Sequence, residues 1–159
     1  MKAAPVVLGL DQATKMGWAI GTAETAFACG LIDTTPRRFD SYGSRYLRVE
    51  KEVTRLLVEH KPTLVVFEEH RRHNSTQAAQ VLGAITAIVA KCCEQEHVDY
   101  FGIPVLTLKK HFTGSATASK ALMLAVARKK FPHLLIPDDN VADALSMYHY
   151  GVTKILKYA

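Results

Sequence analysis

Three acidic stretches, far apart in the chain, carry the residues best suited to chemistry. Asp11 closes the run PVVLGLD at residues 5–11. Glu68 and Glu69 follow TLVVF at residues 63–67. Asp138, Asp139, Asn140 and Asp143 crowd a third segment. Both apolar runs are continuous rather than alternating, the pattern of strands covered on both faces. A carboxylate ending such a strand is costly unless a proton or cation neutralises it. Alone, Asp11 is no more than the start of a turn. A site requires further acids at the same strand end.

The third stretch is able to supply one. Helix capping explains Asp138 or Asp139 without any function. It explains Asp143 poorly, because Asp143 lies one turn further in, between Ala142 and Ala144, beside the apolar stripe Val141, Leu145, Tyr148, Val152 and Ile155. Asn140 and Asp143 are three apart and project from one face. The flanking alanines leave space for Asp143 to reach a neighbouring sheet edge. Asp11, Glu68 and Asp143 then make an all-oxygen set, which suits Mg²⁺ or Mn²⁺ rather than zinc. Carboxylates from two strand ends and one helix are what two-metal phosphoryl transfer needs: one ion activates water and the other stabilises the leaving oxygen.

Bringing these residues together places demands on the rest of the chain. Residues 17–21 and 26–34 read as two strands in an antiparallel meander with the first. Ser41 is placed to cap a helix running to about His60. Tyr42, Tyr46, Val49, Val53, Leu56 and Leu57 lie on one face of it, and Arg45, Arg48, Glu52 and Arg55 on another. Lys61-Pro62 ends that helix. It supplies the crossover to a strand at 63–67 parallel to the first, which sets Asp11 and Glu68 at one edge.

Ser75 or Asn74 caps the next helix, 76–96, which is apolar almost all round. Such a helix is buried twice. Ala79, Gly83 and Ala87 would admit a second copy of the chain as a homodimer seam, or another helix of the same chain. Residues 100–108 contain a strand, and 109–118 read as a polar loop. Thr117 or Ser119 opens a helix with Leu122, Met123, Ala125 and Val126 inside. Asp138-Asp139-Asn140 opens the last helix.

Composition narrows the class. At 159 residues, 48% hydrophobic and 22% charged, the sequence reads as one globular domain, 1–159, with no internal repeat. Three cysteines, Cys29, Cys92 and Cys93, include no C-x-x-C motif, so they support neither a zinc ribbon nor a disulfide framework, and a reducing compartment is the simplest expectation. The N-terminus lacks a signal-peptide pattern. Residues 78–93 are interrupted by Gln80, Gly83, Thr86 and Lys91, which argues against a membrane span. The formal charge of +5 favours a polyanionic partner only weakly. Its placement says more: Arg71 and Arg72, Lys109 and Lys110, and Arg128 to Lys130 fall near strand ends or helix starts, where phosphates are commonly held.

GLDQATKMGWAI, VVFEEHRRH and DDNVADALSMYHYG together resemble the signature segments of RuvC-type Holliday-junction resolvases. The likeness extends through LTLKKHFTGSATASKALM, and RHNSTQAAQVLGAITAIV is similar to the small bacteriophage-type members. The resemblance implies a ribonuclease H-like α/β fold: a five-stranded mixed sheet, three antiparallel strands then two parallel, with helices on both faces. It also implies a homodimeric, Mg²⁺-dependent endonuclease of four-way (Holliday) or other branched DNA, with Mn²⁺ as a substitute ion, in the cytoplasm of a bacterial cell and encoded by the bacterium or a phage.

Position by position, Asp11, Glu68 and Asp143 match the family's metal acids. Lys120 matches its catalytic lysine and Lys109 a second lysine that contacts DNA. The small-residue helix 76–96 matches the dimer helix. The family's fourth acid falls on Asn140, which brings an oxygen but no charge, and Asp139 on the same face is the compensating candidate. The aromatic wedge that follows Glu68 in bacterial resolvases is replaced here by His70, Arg71 and Arg72, suited to stacking or to phosphate contact.

A YqgF-like ribonuclease of the same fold and a non-catalytic junction-binding module are the alternatives. A sugar-kinase or actin-like ATPase would need a second half and a glycine-rich nucleotide site, which the sequence does not offer.

Overall fold

The computed structural model describes residues 3–69 and 75–157. Five strands, Val7–Leu10 (β1), Lys15–Gly21 (β2), Ala26–Asp33 (β3), Leu64–Glu69 (β4) and Asp99–Pro104 (β5), form one sheet in the order β3-β2-β1-β4-β5. β1, β2 and β3 pair antiparallel, whereas β1, β4 and β5 pair parallel. The mixed sheet expected from the sequence is therefore present, with its doubly buried strands at the centre. Val7, Leu8 and Leu10 of β1 and Leu64 to Val66 of β4 are all buried.

Side-chain alternation divides the sheet between two cores. Leu8, Leu10, Val65 and Phe67 face the helices Tyr42–His60 (α1) and Thr76–Gln95 (α2). Val7, Leu64 and Val66 face Val105–Thr113 (α3), Lys120–Lys130 (α4) and Asp139–Tyr150 (α5), which continues through one π-type turn, Gly151–Ile155. Helices thus cover both faces.

Local chemistry sets the helix ends. Ser41, Ser75, Ser119 and Asp138 each accept a backbone N–H of the first turn, as N-caps do. α1 stops at Lys61, which takes the left-handed conformation before Pro62.

Several expectations need correction. Arg45, assigned to the wet face of α1, is buried, while Tyr42 of the expected apolar stripe is exposed. The strand expected through Leu108 ends at Pro104, because proline lacks the N–H that a strand would use and serves well just before a helix. Residues 105–113 are helical, so Lys109 and Lys110 sit on α3 rather than in a loop. Leu122 and Ala125 of α4 point outward, whereas Met123 is in the core as expected, joined there by Ala127, with Val126 packed against it.

α2 buries only Ile85, Val89, Cys92 and Cys93, leaving Gly83 and Ala87 exposed. Among the described residues the second layer expected over it is not supplied by this chain. By length and composition alone α2 is also apolar enough to cross a membrane, contrary to the sequence expectation; here it packs through one face on α1 and the sheet.

Candidate active site

Register brings the first two acids together. Leu10 pairs with Phe67 across the parallel β1–β4 ladder, so Asp11 and Glu68 are the next positions at one edge. Both continue the alternation toward the α5 face. The Asp11 N–H donates to the Gly17 carbonyl at 2.8 Å, closing the turn between β1 and β2. Asp11 is only 6% exposed.

Two glycines bring in the third acid. A Cβ on Gly9 would lie 2.1 Å from the Ala144 carbonyl oxygen, and one on Gly17 would lie 2.0 Å from that of Asn140. Without those Cβ atoms the α5 backbone rests directly on β1 and β2, along the row Asn140, Ala144 and Tyr148 at helical spacing. Asp143 flanks that row and is carried to the strand ends. Its own carbonyl accepts the Ser146 hydroxyl at 2.6 Å.

The electrostatics record the convergence. The Asp11 carboxyl is held well above the usual carboxylate range, first by burial and then by repulsion from Asp143, Glu68, Asp139 and Asp138. Asp143 is pushed up to about 7 by burial, with Glu68 and Asp139 adding to the rise and Lys109 and Lys120 opposing it. Lys120 Nζ lies 3.5 Å from Asp139 Oδ2, on a side chain that is 86% exposed. Two lysines from different helices thus stand beside a cluster of acids.

The structure therefore draws Asp11, Glu68, Asp139, Asp143, Lys109 and Lys120 into one field. Asn140 lies on the same turn of α5, half-buried over Gly17. Lys110 is exposed on α3. Arg71 and Arg72 lie outside the described residues, as do His70 and His73. Tyr148 is not at the site: its hydroxyl donates to the Thr22 carbonyl, beyond the far end of β2. Asp138, read as a cap, accepts the Val141 N–H at 3.1 Å and also contributes to the field on Asp11.

Among the described residues, no three His, Cys, Asp or Glu side chains are drawn closely enough to grip an ion as they stand. The donor chemistry nevertheless fits a hard divalent cation. The oxygens are carboxylate, the two acids that rise on burial repel each other, and a cation between them would relieve both penalties.

A mixed sheet ordered in this way, with helices on both faces and acids from two central strands and a covering helix at one edge, is a ribonuclease H-like fold. No family model matches the chain. Among curated proteins, the RuvC crossover junction endodeoxyribonuclease of Chlamydia trachomatis serovar L2 is 24% identical over 153 residues, spanning 91% of this chain and 89% of the relative. That of Chlamydia muridarum is 26% identical over the same spans.

Among solved structures, Thermus thermophilus RuvC matches with a TM-score of 0.81 at 18% identity, covering 97% of this chain and 98% of that one. The same protein in complex with a Holliday junction substrate also gives 0.81. The yeast mitochondrial Holliday junction resolvase gives 0.68 at 9% identity, over 96% of this chain and 79% of that one. The RuvC-type resemblance carried by the three acidic segments holds over nearly the whole chain, in sequence and in fold.

Proposed function

We propose that this protein is a structure-selective endodeoxyribonuclease that nicks four-way or other branched DNA by divalent-metal-assisted hydrolysis. The observation that carries the reading is the meeting of Asp11, Glu68 and Asp143 at one sheet edge with Lys109 and Lys120 beside them. It is supported by likeness in sequence to proteins described as RuvC crossover junction endodeoxyribonucleases, and in fold to Thermus thermophilus RuvC, which has been solved with a Holliday junction substrate.

Asp11, Glu68 and Asp143 would hold Mg²⁺, or Mn²⁺ in its place, with Asn140 adding a carbonyl oxygen and Asp139 a further carboxylate. Bound ions supply Lewis-acid polarisation and neutralise charge at the phosphate. The chain's own groups do the positioning. Lys120, tethered near Asp139, presents its ammonium to a non-bridging oxygen whose charge grows in the transition state. Lys109 offers a second positive charge at the same edge. Lys110, Arg71 and Arg72 supply backbone contacts that orient the branched strand without reading its sequence.

Two copies joined through α2 would place two such sites about a two-fold axis, giving symmetric nicks. The small residues Gly83 and Ala87 exposed on the outer side of α2 support that arrangement, since they would let a second helix approach closely.

The test is nicking of a synthetic four-way junction with Mg²⁺ titrated in. Asp11→Asn and Asp143→Asn are each expected to abolish nicking while junction binding persists. Cleavage at the wild-type rate by both variants would remove the assignment. Junction binding by the wild type with no cleavage in Mg²⁺ or Mn²⁺ would favour a non-catalytic binding module, a reading that Asn140 in place of an acid motivates.

A further inference from the structure

Away from the acid cluster, on the opposite face of the sheet, lies a cavity of about 870 Å³ between the β1–β2 turn and the first turns of α1 and α2. Thr14, Ser41, Tyr42, Arg45, Ser75 and Gln77 contribute to its lining. Arg45 is its unusual member. It is only 7% exposed, and among the described residues no carboxylate pairs with it. Its guanidinium donates to the Thr14 hydroxyl at 3.2 Å, and among the described residues its Nε finds no acceptor.

A buried guanidinium with no counter-charge is costly to keep, so its surroundings should reward it when a ligand arrives. Asp40, which also lines the cavity, is already engaged. It accepts Arg48 Nη2 at 2.7 Å, the Arg37 N–H at 2.7 Å and the Ser44 hydroxyl at 3.4 Å.

The two helices point the same way electrostatically. The N-caps of α1 and α2, Ser41 and Ser75, both line the cavity. Neither first turn carries an acid, although acids there are the usual complement to the helix dipole. Two positive helix ends and one unpaired guanidinium therefore converge on one concave space.

We propose that this cavity is an anion site that takes a phosphate group, with the Arg45 guanidinium as its charge and hydroxyls from Thr14, Ser41 and Tyr42 within its walls. Thr14 is three residues from Asp11 on the same β1–β2 turn, so the cavity opens at the sheet edge that carries the acids, although on the other face. The source assigned is a phosphodiester flanking the one to be cut, and that choice of source rests on the function proposed above. A free phosphate-bearing molecule shares the chemistry and is separated from it by experiment.

The test uses the full chain without divalent metal, so that binding is read apart from cleavage. Arg45→Gln removes the charge but keeps a donor for Thr14. Gln77→Glu leaves Arg45 intact and sets a carboxylate in the same cavity at an exposed position. Inorganic phosphate is one probe, read as a rise in Tm. A labelled four-way junction is the other, read as affinity across a KCl series.

Both variants are expected to lose the phosphate-induced rise, bind the junction about tenfold more weakly and flatten the log–log salt slope by about one, as loss of a single phosphate contact does. Loss of the phosphate response with junction affinity intact keeps the site and reassigns its source to a free phosphate-bearing molecule. If the wild type fails to bind the junction while the phosphate response survives, the nucleic-acid function falls and the anion site stands. If Gln77→Glu matches the wild type with both probes, the proposal is overturned whatever Arg45→Gln does, because Arg45 is then only a clamp on Thr14.

Discussion

Gly17 lies beneath the carbonyl oxygen of Asn140, so close that a Cβ added to it would stand 2.0 Å away. Nothing flexible separates the two, since both contacts are backbone. Gly17→Ala must therefore lift α5 from β2, and overpacking of this kind costs roughly 1–3 kcal/mol, occasionally more. The lifted helix carries Asp143 away from Asp11. Denaturant melts should show the lost stability and junction assays a loss of nicking that exceeds it. A variant with the wild-type midpoint and rate would contradict the close seat of α5.

Asp143 couples stability to function with opposite signs. Its carboxyl is pushed up to about 7 by burial and then by Glu68 and Asp139, against an ordinary value of 3.8. Below that ordinary value both folded and unfolded chains hold the proton. Between there and about 7 the unfolded chain releases it and the folded chain does not, so stability falls as pH rises through that window. Asp143→Asn removes the loss. In chelator at pH 8 it should be more stable than the wild type by roughly 1–3 kcal/mol, with the gap closing toward pH 4. The same variant should gain no stability from Mg²⁺ and should not nick DNA. A variant that melts below the wild type at pH 8 would show that the acids are not in mutual repulsion.

How far the sequence reveals this site depends on which signal each residue leaves. Asp11, Glu68 and Asp143 interrupt apolar patterns, and interruptions of a buried strand or stripe are visible without coordinates. The meander and crossover that unite them follow from short connections and one well-patterned helix. Arg45 leaves no such mark. A charged residue among Arg48, Glu52 and Arg55 looks like a solvated face, whereas in the fold Arg45 is buried and donates to Thr14 of the β1–β2 turn. Residues 105–113 were hidden for a different reason: an apolar run of four residues after a strand has no period long enough to separate strand from helix. Proline at 104 decided it, through the N–H it lacks.

Lys120 should separate catalysis from folding. Its side chain is 86% exposed and lies 3.5 Å from Asp139 Oδ2, so its removal leaves no cavity and no buried unpaired charge. Lys120→Gln is expected to retain the wild-type Tm and junction affinity within about twofold. Nicking should fall on the order of a hundredfold or more, the scale for losing one group aimed at developing charge. Lys120→Arg should recover part of the rate if charge alone matters. Equal rates for wild type and Lys120→Gln would take the lysine out of the chemistry.

The exposed face of α2 predicts an assembly. Gly83 and Ala87 are accessible in the single chain, one helical turn apart on a helix whose inner face is already packed. Ala87→Glu would introduce charge into a close helix contact, where an unpaired buried carboxylate is strongly unfavourable. Light scattering after size exclusion should give the mass of a dimer for the wild type and of a monomer for Ala87→Glu at micromolar concentration. Each monomer should still bind one probe molecule of inorganic phosphate, whereas paired nicking of a junction should be lost. Equal masses for the two proteins at every concentration would discard the α2 seam.

His149 gives the fold a second pH dependence, of opposite sign to that of Asp143. Its imidazole is pushed down to about 4, first by burial and then by His111 and Lys130, against an ordinary value of 6.5. Its Nδ1 lies 3.1 Å from His111 Nε2, and Thr153 Oγ1 is 2.7 Å from that same His111 atom. Two rings sharing so few partners cannot both be cationic without repulsion. Above 6.5 neither the folded nor the unfolded chain is protonated at His149. As pH falls from there toward 4 the unfolded chain takes up a proton that the folded chain refuses, so the stabilising contribution present at neutral pH is lost. His149→Gln should flatten that acid limb by roughly 1–3 kcal/mol, measured as the difference in unfolding free energy between the two proteins at pH 7 and pH 4.5. NMR titration of the wild-type ring gives the direct check: a His149 resonance that moves with a midpoint near 6.5 would show that the α3–α5 contact does not bury it.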